Sequence, residues 1–196
     1  VRDSSLLDRT VAEIRAEFPG FRIVPKRGHT LSKVIDVLLR VVTLGAQSRY
    51  LTHYHTVLGN TLYVPDKWDG TPEVERVITL RHERVHLRQR RRYGDVLMAL
   101  IYLVPFFPLG LAYGRARIEW EAYAESIRAT AELLGYEVAS SPALRSHVVQ
   151  QFVSGAYGWM WPFPRIVEKW YDDVLRGIRW EMGKGTGEHG EPREVA

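Results

Sequence analysis

Residues 81–87 read Arg81-His82-Glu83-Arg84-Val85-His86-Leu87, a His-Glu-x-x-His pattern inside a run with helical spacing. Successive helical residues turn by about 100°, so positions i and i+4 share one face. His82 and His86 can therefore aim both imidazoles at a single metal ion. Glu83 follows the first of them, where its carboxylate can reach a water on that ion.

The helix around this pattern is well marked. Thr71-Pro72-Glu73 supplies a cap, a proline at the first helical position and an acid in the first turn. Gly94 stops it after Arg92 or Tyr93. Val74, Val77, Ile78 and Val85 join the histidines on an inward face, while Arg81, Arg84, Arg88, Arg90, Arg91 and Arg92 crowd the second half. Such cations suit a helix C-terminus and read first as a solvated end. They also admit a nucleic-acid reading, with Trp159 and Trp161 as stacking platforms. No recognisable nucleic-acid motif accompanies them, so no specific nucleic-acid partner is expected.

Composition narrows the chemistry. The chain has 196 residues, 45% hydrophobic and 26% charged, enough for one sizeable domain. With no cysteine, it has no disulfide, thiolate zinc ligand or cysteine nucleophile, so a metal must be held by His and carboxylate. A net charge of +4 permits an anionic partner without demanding one. The opening residues form no apolar leader, so the expected compartment is the cytoplasm.

Outward from the motif, Ser4 to Phe18 reads as a helix capped by Ser5, with Leu7, Val11, Ile14 and Phe18 at helical spacing. Phe21 to Pro25 reads as a short strand, Leu31 to Leu44 as a buried helix, and Tyr50 to Val64 as a β-hairpin turning at Gly59-Asn60. His53 and His55 share one face of its first strand, as half-buried strand histidines or as part of a cleft wall. Downstream, Arg115 to Leu134 is a helix closed by Gly135, Ser141-Pro142 opens another to Val153, and an aromatic loop over 155–164 precedes a helix from Arg165 to Arg179. The expected organisation is one domain over 1–182 and a disordered tail over 183–196. The fold class is α+β and predominantly helical, with a small hairpin sheet.

A catalytic zinc commonly has three protein ligands. The extended pattern HExxHxxGxxH would need Gly at 89 and His at 92, but the chain has Gln89 and Arg92. The third ligand must then come from a second helix, where Glu119, Glu121 and Glu125 are the candidates. His82-Glu83-x-x-His86 followed by Glu119-x-x-Ala122 resembles the zincin metallopeptidases of the gluzincin branch. The spacing is similar to the CAAX prenyl endopeptidase type, whose second motif is Glu-x-x-Ala-Asp. The resemblance covers the two motif helices, about a quarter of the chain. It implies a zincin-like fold, Zn2+ held by His82, His86 and Glu119, and an edge strand, the one preceding the motif helix, that holds an extended peptide. The family's Asp, which orients a ligand histidine, falls on Tyr123. In another register Glu121 is the ligand and Glu125 its supporting carboxylate; Ala122 favours Glu119, since a small residue lets the helices approach.

The implied activity is peptide hydrolysis, with Glu83 as general base to a zinc-activated water and a peptide or protein as substrate. Tyr157, in the aromatic loop, is the candidate donor to the developing oxyanion, ahead of Arg115 and Arg117. Rival readings are a non-catalytic zincin-like binding domain and a basic helical protein of nucleic-acid or membrane surfaces. The 19 uncharged residues Val96–Gly114 would span about 28 Å as one helix. That would place His86 and Glu119 on opposite sides of a bilayer. Pro105 and Pro108 interrupt the run, so a buried connector with at most peripheral membrane contact is expected, not a transmembrane span. The oligomeric state is not legible.

Overall fold

A computed structural model describes residues 4–26, 55–103, 112–154 and 160–187. The expected helix over 31–44, His53, Tyr157, Trp159 and the tail beyond residue 187 lie outside these residues.

Helix α1 (Leu6–Glu17) starts where Ser5 Oγ accepts the Asp8 N–H, the cap expected of it. Strand β1 (Arg22–Pro25) follows, and β2 (Thr56–Leu58) and β3 (Thr61–Val64) form the closing part of the hairpin. The sheet order is β1-β3-β2, with β1 parallel and β2 antiparallel to β3. This corrects the expected peptide-holding edge. The strand before the motif helix is β3, which is paired on both sides and fully buried. Among the described residues the edges are β1 and β2.

The motif helix α2 (Glu73–Tyr93) begins one residue later than the Thr71 cap predicts. Pro72 occupies the cap position, and Thr71 Oγ1 donates instead to the Lys67 carbonyl. Gly94 ends the helix with φ 79°, a conformation that favours glycine. Helix α3 (Asp95–Leu103) then leads towards α4 (Tyr113–Leu134), which Gly135 closes at φ 96°. A short α5 (Tyr136–Ala139), which the pattern does not suggest, precedes α6 (Pro142–Val153), whose Ser141 cap accepts the Leu144 N–H as expected. Helix α7 runs from Pro164 to Gly187, past Arg179 and into the expected tail.

Two apolar clusters flank the long helices. Ile14, Phe18, Phe21, Leu62, Leu80 and Leu87 join α1 and the sheet to α2. Trp120, Ile127, Phe152, Tyr171 and Val174 join α4 to the helices that follow it. Truncating a fully buried ring such as Phe152 to alanine would cost about 3–5 kcal/mol. Trp161 lies nearly parallel to Trp170, with ring centroids 6.5 Å apart, so it packs against this second cluster. The seam between α2 and α4 runs between the clusters, and the buried polar residues Glu83, Gln89 and Glu119 lie there.

One expectation fails in this region. The first half of the apolar run is helical, as α3, but Val96, Leu97 and Leu100 are exposed, not buried. No helix of the described residues is long and apolar enough to cross a membrane.

Candidate metal centre

His82 and His86 stand one turn apart on α2, and Glu119 faces them from α4. Their Nε2 atoms approach to 3.2 Å, and Glu119 Oε2 lies 3.8 Å from His82 Nε2 and 3.7 Å from His86 Nε2. Bonds of about 2.05 Å in a tetrahedral zinc site set ligand atoms about 3.3–3.4 Å apart. The three edges of this triangle bracket that distance, so the donor set fits zinc in both chemistry and spacing. Among the described residues this is the one group of three such ligands.

The outer hydrogen bonds decide which nitrogens face the triad. Gln89 Nε2 donates to the Ile118 carbonyl at 3.0 Å and to Glu121 Oε2 at 2.9 Å. Both partners are acceptors only, so the amide orientation is fixed and Gln89 Oε1 faces His86 Nδ1 at 2.9 Å. That nitrogen must carry the hydrogen, leaving a lone pair on Nε2. His82 repeats the arrangement. Ser126 Oγ donates to the Ala122 carbonyl at 3.2 Å and so accepts from His82 Nδ1 at 3.0 Å. Two imidazoles held in this tautomer present lone pairs to each other across 3.2 Å, an arrangement that calls for a cation between them.

Without a metal, that cation is a proton. Burial disfavours it on both rings, but Glu119, Glu83 and Gln89 outweigh burial at His86 and raise it to about 9. Burial and the neighbouring His86 push His82 down to about 3. Glu83, 7% exposed, is raised to about 7, chiefly by burial with help from Glu119, while His86 and Lys26 pull it down. A carboxylate with that affinity is matched to proton transfer near neutral pH.

The remaining candidates separate cleanly. Glu121 is engaged by Gln89 and also lies 4.0 Å from Arg117, while Glu125 pairs with Arg81 at 2.7 Å. The geometry of the alternative register is therefore not formed. At the position where a carboxylate would be expected, Tyr123 sets its ring edge-on to His82 at 5.0 Å. The α2 arginines are not simply solvated: Arg84, Arg88 and Arg91 all converge on Glu17 of α1.

A cavity of about 290 Å3 opens beside the triad, with His82, Glu83, Tyr123, Ser126, His55 and His147 on its polar wall. His55 thus takes the cleft position. It packs edge-on against Trp68 at 5.3 Å, and burial, with the charge of Lys26, lowers it to about 4, so it is neutral at pH 7. Lys26, 3% exposed at the end of β1, brings a buried positive charge within electrostatic reach of Glu83 and His55. Gln89, Ser126 and Lys26 were not legible as site residues. The one available signal was that 82, 86 and 89 on α2, and 119, 122 and 126 on α4, each form a helical stripe.

No family model matches the chain, and no curated protein or solved structure matches it either.

Proposed function

We propose that the chain is a zinc-dependent hydrolase of zincin type that cleaves peptide bonds. One observation carries the reading: two Nδ1-anchored imidazoles and a buried Glu119 converge beside the buried Glu83 on a cavity wall. A zinc ion held by His82, His86 and Glu119 would supply Lewis acidity to a water and to a substrate carbonyl. Glu83 accepts the proton of the attacking water and returns it to the leaving amine nitrogen. Ser126 and Gln89 keep both imidazoles in the tautomer that frees Nε2. His55 and Tyr123 are the polar wall groups able to donate towards the carbonyl oxygen, a role that Tyr157 was expected to fill. Strand β2, an edge among the described residues, offers main-chain groups to an extended peptide.

The likeness to the gluzincin pattern supports this reading at His82, Glu83, His86, Glu119 and Ala122. It departs at Tyr123, where Ser126 and Gln89 do the orienting with neutral groups. Glu83 disfavours a purely structural metal site, which has no use for a buried general base.

The test is metal content and hydrolysis of a mixed peptide library. Wild type should carry near-stoichiometric zinc, His86→Ala should lose it, and Glu83→Gln should keep zinc while losing hydrolysis by at least about a hundredfold. Absence of zinc affinity in the wild type would sink the proposal.

A further inference from the structure

The exposed side of α3 plays no part in the candidate centre. Asp95–Leu103 carries one charge, and helices apolar on every side are ordinarily covered. Here Val96, Leu97 and Leu100 are 76%, 45% and 52% exposed, while Ile101 turns inward to lie against Gly114 of α4. Tyr113, next to that glycine, is 52% exposed. Immediately before α3, the end of α2 brings Arg84, Arg88, Arg90, Arg91 and Arg92 into one region. The carboxylates paired with this group are Glu13, Glu17 and Asp95, so positive charge is in excess by two. Arg91 is 62% exposed although it reaches Glu17, and Arg92 is exposed beside the Tyr93 ring.

We infer that this end of the molecule is a docking surface for an anionic lipid bilayer. The aliphatic side chains of α3 enter the headgroup boundary, and the arginines at the end of α2 meet lipid phosphates. Apolar groups beside an excess of arginine are what an interfacial membrane contact needs. Tyr113 suits the same depth, where an aromatic ring with a polar tip is favoured. The contact is peripheral, since no described helix can cross. A second copy of the chain is a poorer occupant. Two such ends brought together would oppose their arginines, and three aliphatic side chains with one tyrosine fall short of the roughly 800 Å² per partner of a stable interface.

The test is flotation of the full chain with vesicles of phosphatidylcholine alone and of phosphatidylcholine mixed with phosphatidylglycerol, at low and high salt. Wild type should float with the anionic vesicles and be released by salt. The Val96→Ser/Leu97→Ser/Leu100→Ser variant should lose partition by about tenfold for each leucine. Arg91→Ser/Arg92→Ser should lose about thirtyfold on anionic vesicles, about fivefold per arginine. The serine variant of α3 should keep its unfolding midpoint, and loss of Arg91's exposed contacts with Glu17 and the Phe18 ring should lower that of the arginine variant by less than about 5 °C. The inference is overturned if wild type stays unbound, if it binds both lipids equally, or if the serine variant floats like wild type. A dimer seen by light scattering and abolished by the serine variant would also overturn it, by assigning the face to a second copy.

Discussion

Gln89 is the residue on which the tautomer argument can be broken. Its side chain makes three hydrogen bonds from a position 4% exposed: to His86 Nδ1, the Ile118 carbonyl and Glu121. Gln89→Ala removes all three. It leaves the Ile118 carbonyl without its amide partner, at about 1–3 kcal/mol, and forfeits about 1 kcal/mol for each of the other bonds. The metal-free protein should therefore lose about 3–5 kcal/mol, or about 6–20 °C in Tm for a chain of this size. Separately, His86 loses the acceptor that holds its Nδ1 hydrogen, and zinc affinity should fall about 10–100-fold.

Gln89→Glu separates these effects. A carboxylate still accepts from His86 Nδ1, so affinity should stay within about threefold of wild type. It cannot donate to the Ile118 carbonyl, and it faces the Glu121 carboxylate at the distance of the former hydrogen bond. Stability should then fall at least as far as in the alanine variant. The assays are competitive zinc titration against a chromophoric chelator and thermal unfolding of the metal-free proteins. If Gln89→Ala binds zinc as tightly as wild type while losing stability, Gln89 is a packing residue and the tautomer argument is refuted.

Other outcomes test the register and the electrostatic frame. Glu119→Gln should lower zinc affinity by more than about a hundredfold, beyond the range for outer supporting residues, whereas Glu121→Gln should stay within about tenfold; the reverse ranking in the same titration would move the ligand to Glu121. Glu17 is held down to about 2, first by its hydrogen bond from Arg88 and then by Arg84. Because its folded pKa lies below the ordinary 4.5, its contribution is present above about pH 4.5 and lost as pH falls through 2. With allowance for solvent screening, Glu17→Gln should cost about 1–2 kcal/mol at pH 7 and nothing below pH 2, read from urea unfolding at a series of pH values. An equal loss at both ends of that range would show that Glu17 acts by packing, not charge.

What the sequence made legible follows from locality. Ser5 and Ser141 as caps, Gly94 and Gly135 as stops, and His82 with His86 on one face are all decided within a turn or two of chain. Glu119 came from the resemblance of Glu119-x-x-Ala122 to the gluzincin motif, since local pattern alone left Glu119, Glu121 and Glu125 open. The residues that were missed act across the seam. Gln89 meets Ile118 and His82 meets Ser126 only once α2 and α4 have docked in one register, and no local pattern states that register. The strand and the hairpin were legible, but the sheet edge was misplaced on similar grounds: the parallel pairing of β1 with β3 joins segments 39 residues apart and turns the supposed edge into a central strand. On α3, hydropathy alone could not say whether an apolar helix is covered, and three of its side chains are not.

The buried charges at the seam are the strongest support for the proposed metal site over side chains that merely pack together. Glu83 and Glu119 are 7% and 4% exposed, and both lie within electrostatic reach of His86. Burying two carboxylates away from water is strongly unfavourable unless each is paired. One shared imidazolium neutralises one of them, and Lys26 acts on Glu83 from the end of β1. Yet both imidazoles turn Nε2 towards each other and Glu119, held so by a glutamine and a serine whose own hydrogens are committed elsewhere. A seam that only packs would be better served by aliphatic side chains at all four positions. A divalent cation, as proposed, would take up both Nε2 lone pairs and the Glu119 charge together and leave Glu83 on the cavity wall as the base.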